Sequence, residues 1–357
     1  MVGVVEIGLF KLVFMSIKLT FKPKQVVKRL LSALPPRAAD VVVNRYGLGK
    51  TPEKMTLEAI GKTYKITRER VRQIENYSFG VIRKSPIYTK EKAVFEDLQK
   101  VVDEMGNVVT ESHFLKSISE DASVQNNIHF LLVLGDAFKK RKEDEHFSHR
   151  WFIDDSLANK VESALKKLYE TLEDEALIPE SEMISSFLDN LKEVSEKYRN
   201  EEIAKRWLGL SKKIGHNPLG EWGISNSPNI KAKGMRDFAY LSIRRHGSPM
   251  HFTEVAKSIK QLFDREAHVA TCHNELIKDK RFVLVGRGLY ALSEWGYSSG
   301  VVKDVIREII KKYGPLSKQE VVDKVLKERY VKENTIAVNL QNQKFFKKNK
   351  EGKYSIV

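Results

Sequence analysis

The chain has 357 residues, of which 31% are charged and 9% aromatic, with a formal net charge of +15. This length exceeds one ordinary domain core, and this composition excludes an intrinsically disordered chain. The single cysteine, Cys272, excludes a disulfide framework and is typical of a reducing cytoplasm, which is the location we expect.

Charge is distributed unevenly along the chain. Residues 1–90 carry 18 basic and 6 acidic side chains, a net +12, whereas residues 91–232 carry 19 and 27, a net −8. The net charge is +4 over residues 233–299 and +7 over residues 300–357. Basic segments attract phosphate non-specifically. We therefore expect the basic N-terminal and C-terminal parts of the chain to contact nucleic acid, and we expect the acidic middle part not to bind along a DNA duplex. The alternative is that the lysine-rich faces are merely solvated.

Residues 1–21 form a predicted N-terminal extension. The stretch is apolar but contains Glu6, Lys11 and Lys18, and it is too short to span a bilayer. It lacks the order of basic lead, apolar core and small-residue cleavage site that defines a signal peptide, and Met15 is an equally suitable start. We therefore expect no membrane partner.

The segment from Met55 to Ser85 predicts two short helices joined by a tight turn. Leu57, Ile60 and Tyr64 recur at helical spacing, and Gly61–Lys62 is predicted to interrupt that first helix. Thr67 is a suitable N-cap for the second helix, which is expected to bury Val71 and Ile74. In the major groove, arginine can make two hydrogen bonds to guanine, glutamine can make two to adenine, and glutamate can accept one from the cytosine amino group. The outer face of this helix, which carries these residue types, is therefore suited to the major groove. The predicted DNA-binding residues are Thr67, Arg68, Glu69, Arg70, Arg72, Gln73 and Asn76.

This motif and the residues before it closely resemble region 4 of primary bacterial sigma factors, over residues 22–85. The lead-in helix resembles the stretch from Leu34 to Leu48, and the recognition helix resembles Thr67 to Glu75. The resemblance implies recognition of a −35-like promoter element and association with the RNA polymerase core. Because the −10-melting helices of a sigma factor do not precede this segment, we expect a borrowed DNA-reading domain, assigned to residues 22–88, and not a complete sigma factor.

Residues 233–297 predict three helices followed by a two-stranded hairpin, the order of a winged helix-turn-helix. The second helix is expected to be capped by Thr253, and Gly286–Arg287–Gly288 is expected to form the hairpin turn. The stretches Gly247–Phe252 and Arg281–Leu292 resemble the HARE-type helix-turn-helix domain. That resemblance implies a nucleic-acid-associated or partner-binding module without catalytic activity.

The remaining chain is predicted to repeat this unit. Residues 300–357 show the same order, with Asn339, Gln341 and Asn342 expected to be exposed after a lysine-flanked helix start. Residues 89–155 and 156–230 are expected to be two further copies, each ending in an aromatic second wing strand. The alternative for the middle is an irregular helical linker. The predicted fold is therefore mainly α with small β-hairpin wings: a sigma region 4 helix-turn-helix followed by an array of winged helix-turn-helix units.

No catalytic or metal site is predicted. Gly47–Thr51 lacks the first glycine of a phosphate-binding loop and is followed by Pro52. His268, Cys272 and His273 suggest a metal site, with His268 and Cys272 one helical turn apart, but without paired ligand spacing partly buried helix residues are the preferred interpretation. We expect no cofactor, no small-molecule substrate and no enzyme activity.

These patterns predict a non-enzymatic, sequence-specific regulator of transcription that binds double-stranded DNA. The alternative is a DNA-targeting or interaction subunit of a restriction, defence or DNA-processing system, because HARE-type domains also accompany restriction enzymes.

Overall fold

The computed structural model describes residues 17–297 and 300–357, so most of the predicted extension 1–21 lies outside the described residues. Contacts divide the described chain into two compact units, residues 17–226 and 227–357. Helices dominate both units and every sheet is small and antiparallel, which confirms the predicted fold class. Within these residues, no helix combines the length and apolar character needed to cross a membrane.

Five helices open the first unit. They are α1 (Pro23–Leu31), α2 (Pro36–Tyr46), α3 (Leu57–Tyr64), α4 (Arg68–Lys84) and α5 (Pro86–Lys90). Proline begins α1, α2 and α5, where its missing N–H costs no helical hydrogen bond. Gly47 ends α2 in the left-handed conformation, at φ 63°. Helices α3 and α4 form the predicted helix-turn-helix.

The predicted interruption at Gly61–Lys62 is wrong, because both residues lie inside α3. A Cβ on Gly61 would lie 2.7 Å from the backbone oxygen of Ile66, so glycine allows the following turn to pack against the helix. The chain reverses instead at Lys65, which adopts φ 54°. The glycine therefore serves tertiary packing and does not end the helix.

The next elements of the first unit are α6 (Lys92–Glu104), β1 (Val108–Thr110), α7 (Glu111–Ile118), α8 (Ala122–Leu134), β2 (Lys139–Arg141) and β3 (Arg150–Phe152). The three strands form an antiparallel sheet in the order β1-β3-β2. Helix α8 packs on α1 and α2, and one hydrophobic core extends from Val26 to Trp151. Helices α1, α2 and α4 thus share a core with this segment across the predicted boundary at residue 88.

The first unit ends with α9 (Asp155–Glu170), α10 (Glu180–Asp189), α11 (Glu201–Leu208), β4 (Ile214–His216) and β5 (Trp222–Ile224). Trp207 is fully buried, and its indole N–H donates to the backbone oxygen of Gly106 at 3.1 Å. Gly106 has φ 104°, and a Cβ there would lie 2.6 Å from Ile203. This contact fixes α11 against the loop between α6 and β1.

The second unit begins with α12 (Met235–His246), β6 (Met250–His251), α13 (Phe252–Phe263), α14 (Val269–Lys278), β7 (Phe282–Gly286) and β8 (Leu289–Leu292). The predicted cap Thr253 is wrong, because α13 begins at Phe252 with His251 as its N-cap, two residues before the predicted cap. The imidazole of His251 accepts from the Thr253 N–H at 3.4 Å. The hairpin turn forms as predicted, with Gly288 at φ 71°.

The chain ends with α15 (Val302–Tyr313), α16 (Lys318–Glu328), α17 (Glu333–Leu340), β9 (Phe346–Lys348) and β10 (Tyr354–Ile356). These elements enclose their own hydrophobic core around Ile309, Val321 and Ile336. The Tyr330 N–H donates to the backbone oxygen of Val285 at 2.8 Å, which ties this segment to β7.

We predict that two helical glycines of the helix-turn-helix respond oppositely to substitution by alanine. Gly61→Ala forces a Cβ against backbone and should destabilise the protein by about 1–3 kcal/mol. Gly80→Ala, in α4, meets no heavy atom within 4 Å and should stabilise it by about 0.5–1 kcal/mol through helix propensity. Thermal melting followed by circular dichroism measures both changes; equal melting temperatures would contradict the packing role of Gly61.

Candidate DNA-binding site

Two threonine caps and one turn set the angle between α3 and α4. The Ala59 N–H donates to the Thr56 hydroxyl at 3.1 Å, and the Arg70 N–H donates to the Thr67 hydroxyl at 3.2 Å. Each bond satisfies an N–H group that a helix start leaves without a partner. The predicted capping role of Thr67 is confirmed by this geometry.

A small core holds the two helices on α2. Val41, Ile60 and Val71 are each fully buried and pack together, one from each helix. Ile74, predicted to be buried, is only half-buried at the margin of this cluster. The outer face of α4 is consequently held in one orientation by three aliphatic side chains.

All of the predicted contact residues are exposed along α4 or at its cap. These residues are Thr67, Arg68, Glu69, Arg70, Arg72, Gln73 and Asn76. Exposure is what a groove-binding face requires. Their contact with DNA stays a prediction.

Side chains on this surface are already paired with one another. The Arg72 guanidinium donates to the Glu69 carboxylate, with Nη2–Oε1 at 2.6 Å and Nε–Oε2 at 3.0 Å. This hydrogen bond is the main reason that the pKa of Glu69 is lowered and that of Arg72 is raised. Arg70 donates to the Gln73 side-chain oxygen at 3.0 Å. Four of the seven residues thus have preferred orientations before any ligand binds.

Arg68 also lines an open cleft at the start of α3. The cleft has a volume of about 310 Å³ and is bounded by Arg45, Arg68 and the Thr56–Glu58 stretch. The Arg45 guanidinium donates to the backbone oxygen of Met55 at 3.2 Å, which fixes it beside the cleft. Two guanidinium groups therefore border the entrance to the helix-turn-helix.

Glu75 is a structural residue of the site that sequence analysis did not identify. It lies on α4 but is buried, and its carboxylate accepts from the Tyr46 hydroxyl at 2.7 Å. Arg45 Nε lies 3.6 Å from the same carboxylate. Burial and, after it, the negative charge of Glu75 raise the pKa of Tyr46. The available signal was helical spacing, since Glu75 falls on the same face as Val71, Ser78 and Ile82.

The loop after α2 is held by a distant amide. Asn126 of α8 is buried, and its side-chain N–H groups donate to the backbone oxygens of Gly47 at 3.1 Å and Pro52 at 2.8 Å. A Cβ on Gly47 would lie 2.7 Å from that amide nitrogen. This loop, whose glycines suggested a phosphate-binding loop, is thus packed against protein.

The histidine and cysteine residues do not come together as a metal site. His268 precedes α14 as its N-cap residue, so it does not share a helical face with Cys272 as predicted. Cys272 is fully buried, and burial raises the pKa of its thiol to about 11. Among the described residues there is no group of three or more His, Cys, Asp and Glu side chains arranged to hold a metal ion.

Comparison with known proteins identifies the family of the helix-turn-helix segment. Residues 30–84 match the family profile of Sigma-70, region 4. These residues are a sigma-70 region 4 domain. Region 4 is a promoter-recognising, DNA-binding domain that associates with RNA polymerase, and its homologues are non-enzymatic. The predicted resemblance is confirmed for this segment.

Individual sigma factors match over equally short stretches. The chain is 51% identical to the RNA polymerase sigma factor RpoS of Coxiella burnetii over 49 residues, 14% of each protein. It is 46% identical to SigA of Nostoc sp. over 60 residues, which is 17% of this chain and 15% of that protein. It is 36% identical to the principal sigma factor HrdD of Streptomyces coelicolor over 66 residues, 18% of this chain and 20% of the relative. The chain spans at most one fifth of the length of these relatives.

We predict that the buried Glu75 carboxylate stabilises the site far more than an exposed carboxylate does. Glu75→Ala leaves the Tyr46 hydroxyl without its acceptor and should lower the free energy of unfolding by about 1–3 kcal/mol. Glu58→Gln removes an exposed partner of Lys62 on α3 and should change it by less than about 0.5 kcal/mol. Urea unfolding of both variants measures the difference, and similar losses in the two would show that Glu75 does not anchor α4.

Proposed function

We propose that this protein is a sequence-specific regulator of transcription that binds double-stranded DNA and reads a promoter-like −35 element with α4. The observation that carries the proposal is the exposed row of Arg68, Glu69, Arg72 and Gln73 on the second helix of a region 4 domain. Arg and Gln each make two hydrogen bonds to one base edge, and these bonds distinguish bases in the major groove.

The electrostatics of the domain support the same function. Residues 1–90 carry a net +12, which favours approach to a phosphate backbone. Arg45 and Arg68 line the cleft at the start of α3, the helix that crosses the backbone in helix-turn-helix complexes. Base reading by α4 and backbone attraction around it are therefore compatible.

The rest of the chain is proposed to form an array of winged helix-turn-helix units over residues 89–155, 156–230, 233–297 and 300–357, the third being HARE-type. Each segment has three helices, counting α9–α11 in the second, followed by a two-stranded antiparallel hairpin. Such units support DNA or partner binding. The protein is proposed to be non-enzymatic and without a cofactor, as the region 4 homologues are non-enzymatic.

Association with the RNA polymerase core is proposed from the region 4 domain, and the packing restricts how it occurs. The apolar faces of α1 and α2, including Val26, Leu30 and Val42, are buried against α8. A partner cannot dock there without displacing part of the core. Polymerase contact is therefore assigned to surfaces other than this face.

Substitutions on the two faces of α4 should separate base reading from folding. Arg68→Ala and Gln73→Ala should each cost about 1–3 kcal/mol at the preferred site and relax base preference at one or two positions. Val71→Ala removes buried methyl groups, so it should lower the melting temperature and weaken binding to all sequences together. Selection of binding sites from random DNA by wild type and the three variants measures this. An unchanged preference in both surface variants would show that α4 does not read bases.

Affinity purification distinguishes the proposed function from its alternative. Tagged protein, recovered after nuclease digestion of DNA, should retain RNA polymerase core subunits, and Arg68→Ala should retain them equally because it alters only the DNA face. Recovery of a nuclease or methyltransferase in their place would favour a DNA-targeting subunit of a restriction or defence system.

A further inference from the structure

The hairpins of the first, second and last of the four segments differ in whether their cations are paired. In the first, each cation of β2 lies beside a carboxylate: Lys139 beside Asp155, Lys140 beside Glu111, and Arg141 beside Glu162. At the entry to the second, Lys212 and Lys213 pair with Glu143 at 2.6 Å and Glu145 at 2.8 Å. A phosphate that approached these hairpins would have to displace an existing ion pair.

The last hairpin has the opposite character. Between Lys344 and Lys353 it carries five lysines and one acid, Glu351. The lysines are Lys344, Lys347, Lys348, Lys350 and Lys353, and all are exposed. Within the described residues, no carboxylate oxygen lies within 4.0 Å of the Nζ atom of any of these five lysines, so none of them forms an ion pair.

The lysines are presented on an ordered turn. The Asn349 N–H donates to the backbone oxygen of Lys353 at 2.9 Å, and the Lys353 N–H donates to the Asn349 side chain at 2.8 Å. Gly352 closes the turn at φ 81°. The Lys348 ammonium lies 5.9 Å from the centre of the Tyr354 ring across the hairpin. The positive charges therefore project from a fixed support.

The preceding helix is a poor candidate for the same task. Helix α17 contains no Lys or Arg, and it begins with Glu333. Asn339, predicted to be exposed, is half-buried, and its amide donates to the backbone oxygen of Thr335 at 2.8 Å. Gln341 and Asn342 are exposed as predicted.

We propose that the hairpin β9–β10 binds the phosphate backbone of double-stranded DNA and reads no bases, with α17 playing no part in base recognition. Lysine suits this role because its ammonium is a flexible point charge, unlike the planar guanidinium that matches guanine. Because these lysines have no carboxylate in an ion pair, no ion pair within the protein has to break when they bind phosphate. Each phosphate contact also releases a counterion from the DNA. The inference deepens the proposed DNA-binding function and rests on it.

The test uses the full chain and a random-sequence duplex. Wild type is compared with Lys347→Gln/Lys350→Gln and with a control of equal charge change on the same segment, Lys311→Gln/Lys327→Gln. The control lysines are exposed on α15 and α16 and are not part of the hairpin. Fluorescence anisotropy gives the dissociation constant at several salt concentrations.

The hairpin variant should reduce the slope of log affinity against log salt by about 1.8, since each lost phosphate contact accounts for about 0.9. Over a fourfold rise in salt, wild type should then lose about 12-fold more affinity than the variant. The control should stay close to wild type, and site selection should return the same base preference for all three proteins.

A hairpin variant that matches the control would overturn the assignment, as would a wild-type protein that fails to bind random duplex. The proposed base reading by α4 is tested by a different result: it would be contradicted if Arg68→Ala and Gln73→Ala both left the base preference unchanged. A changed base preference in Lys347→Gln/Lys350→Gln would contradict the claim that the hairpin contacts backbone alone.

Discussion

The burial of α8 against α1 and α2 is the contact on which the position of α4 depends. A helix-turn-helix of this size buries only one side of its helices, so the apolar face of α1 and α2 needs a cover. Helix α8 supplies Ile128, Leu131 and Leu132, all fully buried in the shared core. Helix α2 in turn orients α4 through Val41 and through the Tyr46–Glu75 hydrogen bond. The segment after residue 88 therefore determines the orientation of the exposed face of α4, through contacts from α8 to α2 and from α2 to α4.

This arrangement gives similar-looking segments different physical roles. Helix α8 is the third helix of its segment, and its apolar residues are buried in the core. Its Asn126 side chain donates hydrogen bonds to the loop after α2. Helix α11, third in the next segment, buries Trp207, and its two cations pair with Glu180 and Glu202. Neither helix offers a free cation to a duplex. A common order of helices and strands therefore does not imply a common ligand, because function depends on the particular side chains that each segment presents at its surface.

Local signals made much of the fold predictable from sequence. Apolar spacing and the cap Thr67 located α4, and the hairpin turn at Gly288 followed from its glycine pattern. The predictions failed where a distant residue decides the local role. Gly61 was predicted to interrupt α3, but it lies inside the helix, and the close approach of the Ile66 backbone explains why glycine is needed there. Capping by His251 displaced Thr253, because an imidazole nitrogen can accept the same bond as a hydroxyl.

One part of the candidate site could also be predicted from the sequence, and another part could not. Its exposed face was predictable because the period of α4 separates Arg68 and Gln73 from Val71. The support beneath it was not, since Glu75 finds its partner Tyr46 at a distance of 29 residues in sequence. Charged residues are usually placed on the surface in a sequence-based assignment, and a buried carboxylate with a hydroxyl donor is an exception that only packing reveals.

Methylation interference on a selected binding site tests most directly whether α4 enters the major groove. Methylation of guanine N7 adds a group to that groove and blocks the acceptor that an arginine fork would use. Our account predicts that methylation at one or two guanines of the site abolishes binding by the wild-type protein, and that Arg68→Ala loses sensitivity at one of them. Binding that tolerates N7 methylation throughout the site, while remaining sensitive to phosphate ethylation, would contradict base reading by this helix.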